Sequence, residues 1–145
     1  MFKQILVPVD GSPAALKAVE KACGLAKQFD SAVTLVFVID PYPFAGIGVD
    51  YAYGQTEYLA AAKAEAAEAI RLAAGVAQAG GISPVTKIVE SRVVDEGILE
   101  VAQATAADLI VMGSHGRRGI EKMLLGSVTR RVLSHTAITV MVVRG

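Results

Sequence analysis

The sequence is poor in the features that mark secreted, membrane-spanning or nucleic-acid-binding chains. Its 145 residues include a single cysteine, Cys23, which rules out an internal disulfide and a thiolate metal cluster. Although 53% of residues are apolar, no run approaches the roughly 18 that a membrane span needs. Charge of neither sign prevails, because fourteen lysines and arginines balance fourteen acidic residues. A nucleic-acid surface shows a basic surplus gathered on one face, so a polyanion partner is not expected. Basic residues thicken only at Arg117, Arg118 and Lys122 and at Arg130 and Arg131, a distribution that suits a small anionic ligand. The opening MFKQILVPVDGSP is interrupted too early for a signal peptide. The expectation is one domain, residues 1–145, in a soluble cytoplasmic protein without membrane association.

What is present is alternation. KQILVPVD, about residues 3 to 10, is a short strand followed by DGSP, where Ser12 suits a helix cap and Pro13 the first turn. Leu16, Val19, Cys23 and Ala26 then form a one-sided helical stripe, which makes Cys23 a buried hydrophobe rather than a reactive thiol. AVTLVFVID, about 32 to 40, is a second strand, and residues 41–54 read as an unusually long loop. A long alanine-rich helix spans about Thr56 to Gln78, with its Glu and Lys residues on a solvated face, and ends at Gly80-Gly81. VTKIVE, 85 to 90, alternates as an edge strand does; Ser91 to Val94 turn, and Ile98, Val101, Ala102 and Thr105 mark a helix face. DLIVMG, 108 to 113, is apolar throughout, as a central parallel strand should be. A glycine-rich stretch, a helix near Val128 to Ser134 and the strand ITVMVV complete the pattern. Such alternation predicts a doubly wound α/β fold with a parallel sheet covered on both sides.

In that fold, ligands bind beyond the carboxyl ends of the strands. Pro8, Val9 and Asp10, then Val38, Ile39 and Asp40, then Met112 and Gly113 occupy those ends. They converge on one crevice if the first and fourth strands are neighbours. Gly113, Gly116 and Gly119 would let the backbone take positive φ values and approach a ligand closely. Gly126-Ser127 would open a helix whose unpaired N–H groups and dipole favour a phosphate, with Ser127 also suited to capping it. A glycine-rich turn with nothing bound is the alternative that the glycines alone leave open.

Gly113-x-x-Gly116, nine residues, then Gly126-Ser127 matches the G-x2-G-x9-G-[S/T] pattern of the ATP-binding subgroup of universal stress proteins. ILVPVDGS at the start, FVID after the second strand, ADLIVMGSHGR and the terminal VMVVR are similar to that family too, so the resemblance covers essentially the whole chain. It implies five parallel strands in the order 3-2-1-4-5, a Rossmann-like sheet of the adenine nucleotide alpha hydrolase type. It implies a stress-response regulator that binds ATP, with AMP or ADP as alternatives and Mg²⁺ as companion. Asp10 would lie at the nucleoside end with Pro8 and Val9 along the same wall, and the Val38 backbone would read the adenine edge. Met112 and Gly113 would follow the ribose and first phosphate, and Gly116, Gly126, Ser127 and Val128 would hold the phosphates. A homodimer through the last strand is also implied. Thr139 replaces the proline that often begins that strand, and Ser91 replaces a glycine common after the third.

Arg117 and Arg118 read either as donors to the outer phosphates or as solvated loop charges. His115 reads as an exposed loop tip, and His135 as a residue serving a helix end. Tyr51, Tyr53 and Tyr58 suit a dimer contact or mobile loop better than closure over a ligand. No catalytic residue and no protein-held metal site is expected. The chain lacks Gly-x-Gly-x-x-Gly after its first strand, Gly-Lys-[Ser/Thr] and Gly-x-Ser-x-Gly, which argues against three familiar enzyme schemes. Slow ATP hydrolysis and a purely structural or interaction role are the alternatives to nucleotide-responsive regulation.

Overall fold

The alternation is realised in the computed structural model, which describes residues 1–41, 51–116 and 125–145, with residues 51–53 through their backbone alone. The order is β1 (Gln4–Pro8), α1 (Pro13–Phe29), β2 (Ala32–Ile39), α2 (Tyr51–Ala79), β3 (Val85–Glu90), α3 (Val94–Ala104), β4 (Leu109–Gly113), α4 (Ser127–His135) and β5 (Thr139–Val143). All strand pairs are parallel, in the spatial order β3-β2-β1-β4-β5. The chain winds outward to β3, returns past β1, and winds outward again to β5.

Successive strand residues face opposite sides, so each strand feeds two cores. Ile5, Val7, Leu35 and Val111 face α1 and α2, whereas Leu6, Val36, Ile110 and Met112 face α3 and α4. On the first side the helices meet the sheet largely through alanine: Ala18, Ala22 and Ala26 of α1, and Ala66, Ala69, Ala73 and Ala77 of α2, are buried. Small methyl side chains at a helix contact allow a close axial approach, which explains these buried alanines as packing. Cys23 is buried in the same layer, and burial pushes its thiol up against the opposing pull of Lys27.

At the amino-terminal rim of the sheet, Asp108 accepts from the N–H groups of Lys3 at 2.8 Å and Gln4 at 3.0 Å, tying β4 to β1. Desolvation pushes this carboxyl up, but the N–H groups of Lys3, Gln4 and Asp108 itself, together with the N-terminal charge, outweigh it and hold it below its ordinary value. At the other rim, Ser12 caps α1 by accepting from the Ala15 N–H, with Pro13 in the first turn, as its sequence predicts.

One boundary differs. Helix α2 begins at Tyr51, so the last four residues of the stretch expected to be loop are helical; residues 42–50 lie outside the described residues. Gly54 reads as a breaker and costs about 1 kcal/mol within a helix. Extension from the long alanine-rich segment outweighs that cost, and Gln55 Nε2 donates to the Pro41 carbonyl, tying the helix start to the end of β2. Among the described residues no helix is long and apolar enough to cross a membrane.

Candidate functional site

The carboxyl ends of β1, β2 and β4 open into a cavity of about 380 Å³, within the size range of small-molecule sites. Pro8, Val9, Asp10, Val38, Met112, Gly113, Gly116, Gly126, Ser127 and Val128 all line it. The adjacency of β1 and β4 is what brings them together. Arg117, with Arg118, Gly119 and Lys122, lies outside the described residues.

The cavity lining is of two chemical kinds. One is aliphatic, walled by Val36 and Val38 of β2, Val94 and Ile98 of α3, and Met112 of β4. The other is backbone. The glycines there serve a different purpose from the one expected: neither Gly113 nor Gly116 has a positive φ, which among the described glycines occurs at Gly11 and Gly81. Gly113 is required for space, while at Gly116 an added Cβ would displace the Asp10 carboxylate. A Cβ on Gly113 would lie 2.9 Å from Ala14 Cβ and 3.1 Å from the Ala14 carbonyl carbon, against the start of α1. One on Gly116 would lie 2.7 Å from Asp10 Oδ2.

The entry to α4 also departs from expectation. Gly126, not Ser127, is the cap residue, and no side chain caps the helix; Ser127 is its first residue, so its hydroxyl lies past the capping position. The Gly126 N–H is spent on the Ser114 carbonyl at 2.6 Å, and the Arg130 N–H makes the first helical bond, to Gly126 at 3.0 Å. Ser127, Val128 and Thr129 of the uncapped first turn line the cavity. Thr129 Oγ1 donates to the Gly113 carbonyl at 2.9 Å, which fixes the helix mouth against the end of β4.

Carboxylates line the remaining wall. Asp10 accepts from the Ser12 N–H at 2.9 Å, and Asp40 and Glu65 join it around the cavity. His115 is not the exposed tip expected; it is half-buried, lines the cavity, and its Nδ1 sits 3.2 Å from Ser114 Oγ. His135 serves its helix end, with Nδ1 2.8 Å from the Arg131 carbonyl.

A sequence model of the universal stress protein family matches residues 1–144. The chain belongs to the universal stress protein family. Universal stress protein MJ0531 of Methanocaldococcus jannaschii is 36% identical over 144 residues, covering 99% of this chain and 83% of that protein. Among solved structures, universal stress protein UspA from Lactobacillus plantarum superposes with a TM-score of 0.84 at 28% identity, covering 98% of this chain and 97% of its own. The same fold appears in a universal stress protein in complex with cAMP, at TM-score 0.69 and 24% identity, covering 99% of this chain and 97% of that one. It appears again in one from Archaeoglobus fulgidus in complex with dAMP, at 0.67 and 20%, covering 97% of each chain.

Several residues lining this universal stress protein's cavity carry no signal of their own in the sequence. Val94 reads as the end of a turn, Ile98 only as a helix position, and Glu65 as part of the solvated face of α2, yet all three reach the cavity. Thr129 could have been flagged, since it lies two residues beyond Gly126-Ser127. Tyr58 lines the cavity, while the side chains of Tyr51 and Tyr53 lie outside the description.

Proposed function

We propose that this universal stress protein binds ATP, with AMP or ADP as weaker alternatives, and acts as a nucleotide-responsive regulatory module in stress response. The observation that carries the reading is the pairing, in one cavity, of an aliphatic lining with an uncapped helix mouth and a glycine, Gly113, that leaves no room for a Cβ. Val36, Val38, Val94 and Ile98 would take the adenine ring, and the Asp10 carboxylate would accept from a ribose hydroxyl. The backbone of Gly113 and Gly116, with Ser127 and Val128, would hold the phosphates, since helix N-termini favour anions, and Gly126, whose N–H is bonded to the Ser114 carbonyl, would line their path without donating to them. Two proteins of this fold are complexes with cAMP and dAMP, and we extend the adenine-nucleotide class to this chain.

Mg²⁺ would arrive with the phosphates. Among the described residues no group of three or more His, Cys, Asp or Glu side chains could hold a metal ion unaided. We further propose a cytoplasmic homodimer formed through β5, an edge strand of the sheet on which Thr139 and Met141 are exposed. A partner would then sense which ligand the dimer holds.

The test is to identify nucleotide extracted from the purified protein by mass spectrometry and to measure melting temperature with and without Mg-ATP. A ligand at a hundred times its Kd stabilises by about 2.7 kcal/mol, so a rise of several degrees is expected. A protein that retains no nucleotide and shows no shift at millimolar Mg-ATP would refute the reading.

A further inference from the structure

The backbone that carries the half-buried His115 is tied down on two sides. Ser114, immediately before it, is buried; its N–H donates to the Val143 carbonyl at 2.9 Å, and its carbonyl accepts from the Gly126 N–H at 2.6 Å. The chain is thereby held to the end of β5 and to the cap of α4. A Cβ added to Gly126 would lie 3.5 Å from His115 Cα and 3.7 Å from the Gly116 nitrogen, so His115 stands against the helix mouth. The imidazole is oriented too, because its Nδ1 lies 3.2 Å from Ser114 Oγ. The hydroxyl can donate to a neutral ring or accept from a charged one, so the contact suits both states. Ring nitrogens point to opposite sides of an imidazole, so Nε2 is turned away from the buried serine.

Among the described lining residues, His115 is the one side chain that can take a positive charge. The other titratable groups on the lining are Asp10 after β1, Asp40 after β2, and Tyr58 and Glu65 of α2. Asp95 and Glu96 at the start of α3 do not line the cavity. Nor do Arg130 and Arg131 of α4 or Arg144 after β5, which are exposed. Arg117, Arg118, Glu121 and Lys122, next along the chain, lie outside the described residues.

We propose that His115 contacts a phosphate of the bound nucleotide as an imidazolium, so that the site binds phosphate-bearing ligands more tightly as pH falls from about 8 to about 6. The inference rests on the nucleotide reading above and goes further: it names a side-chain donor outside the spaced glycines and serine, and a condition that sets its strength. A charged donor holds a phosphate oxygen more strongly than a neutral one, and a bound phosphate in turn favours the proton on the ring. A group that gains protons on binding strengthens binding at low pH, and the gain fades as pH rises. Adenosine, which carries no phosphate, should not feel it.

The test is titration calorimetry of the whole protein with ATP and with adenosine, at about pH 8 and about pH 6 and at fixed salt and Mg²⁺. It compares the wild type with His115→Asn and His115→Gln. Asparagine puts an amide where Nδ1 stood and keeps a partner for Ser114, whereas glutamine reaches as far as Nε2 with a neutral donor. Acidification should raise wild-type ATP affinity about tenfold relative to either variant, with adenosine affinity alike within about twofold in all three proteins. Protonation of ATP itself, and of Asp10, Asp40, Tyr58 and Glu65, is common to the three proteins and cancels in the comparison. Should either variant fail to fold, the other carries the comparison. A pH response in the variants equal to that of the wild type, or a wild-type response as large with adenosine, overturns the role of His115 and leaves nucleotide binding standing. A wild type that binds neither ligand overturns both.

Discussion

Helices α1 and α4 begin at the carboxyl ends of neighbouring central strands, yet they finish their first turns in opposite ways. At α1 the chain closes the helix itself: Ser12 Oγ accepts from Ala15, and the Asp10 carboxylate accepts from Ser12. At α4 the cap residue is a glycine, no side chain caps the helix, and its first turn holds no acidic residue. Uncapped N–H groups bordering a cavity are donors kept available for a ligand, whereas capped ones are committed to the fold. The comparison separates two uses of one motif, a strand followed by a helix N-terminus. The first use is structural, and the second is open to an anion.

The largest effect should come from the position that serves both helices. Gly113→Val would drive a side chain into Ala14 at the start of α1, so a stability loss of about 3 kcal/mol is expected in urea unfolding. It would therefore damage α1 as well as any ligand site. Closing α4 should act differently. Ser127→Glu places a carboxylate in the exposed first turn, and ATP affinity should fall by about 2 kcal/mol, roughly thirtyfold. Unfolding stability should hold or rise slightly, because the acid suits the helix dipole. Opening α1 gives the reverse signature: Ser12→Ala should cost about 1 kcal/mol in unfolding stability, with a smaller change in ATP affinity than Ser127→Glu produces. Equal behaviour of the two variants in both measurements would remove the distinction between the helices.

The smallest effect belongs to the opposite rim. Asp108→Asn weakens the tie between β4 and β1 and should cost about 0.5 kcal/mol at neutral pH, with ATP affinity unchanged. Because the folded-state carboxyl titrates below its ordinary value, its contribution is present above that ordinary value. It is lost as pH falls through the depressed one. The gap between wild type and variant should therefore close on acidification, as parallel urea series at neutral and acidic pH would reveal.

Much of the fold was legible because its signals are local. Ser12 and Pro13 announce the start of α1, the spacing of Val19, Cys23 and Ala26 announces its buried face, and the unbroken LIVM run announces a central strand. At the site the residue positions were legible but some of their reasons were not. Gly113 and Gly116 stood out as glycines, yet what they supply is clearance from Ala14 and Asp10. Nothing in GSHG distinguishes a need for positive φ from a need for space, since both demand the same residue. Ser127 and Gly126 are likewise both acceptable caps by type, and only the backbone assigns the position to Gly126.

Sequence by itself determined the alternation of strands and helices, the inward stripes and the capped start of α1, because each depends on residues within a few positions of one another. Only the tertiary structure decided that Val94 and Ile98 of α3 and Glu65 of α2 would share a cavity with Asp10 and Gly126. It alone decided that His115 would lie inside that cavity. Those meetings follow from the order in which the strands pair and from how closely each helix can approach the sheet. Side chains far apart along the chain set both jointly, so no local pattern carries them.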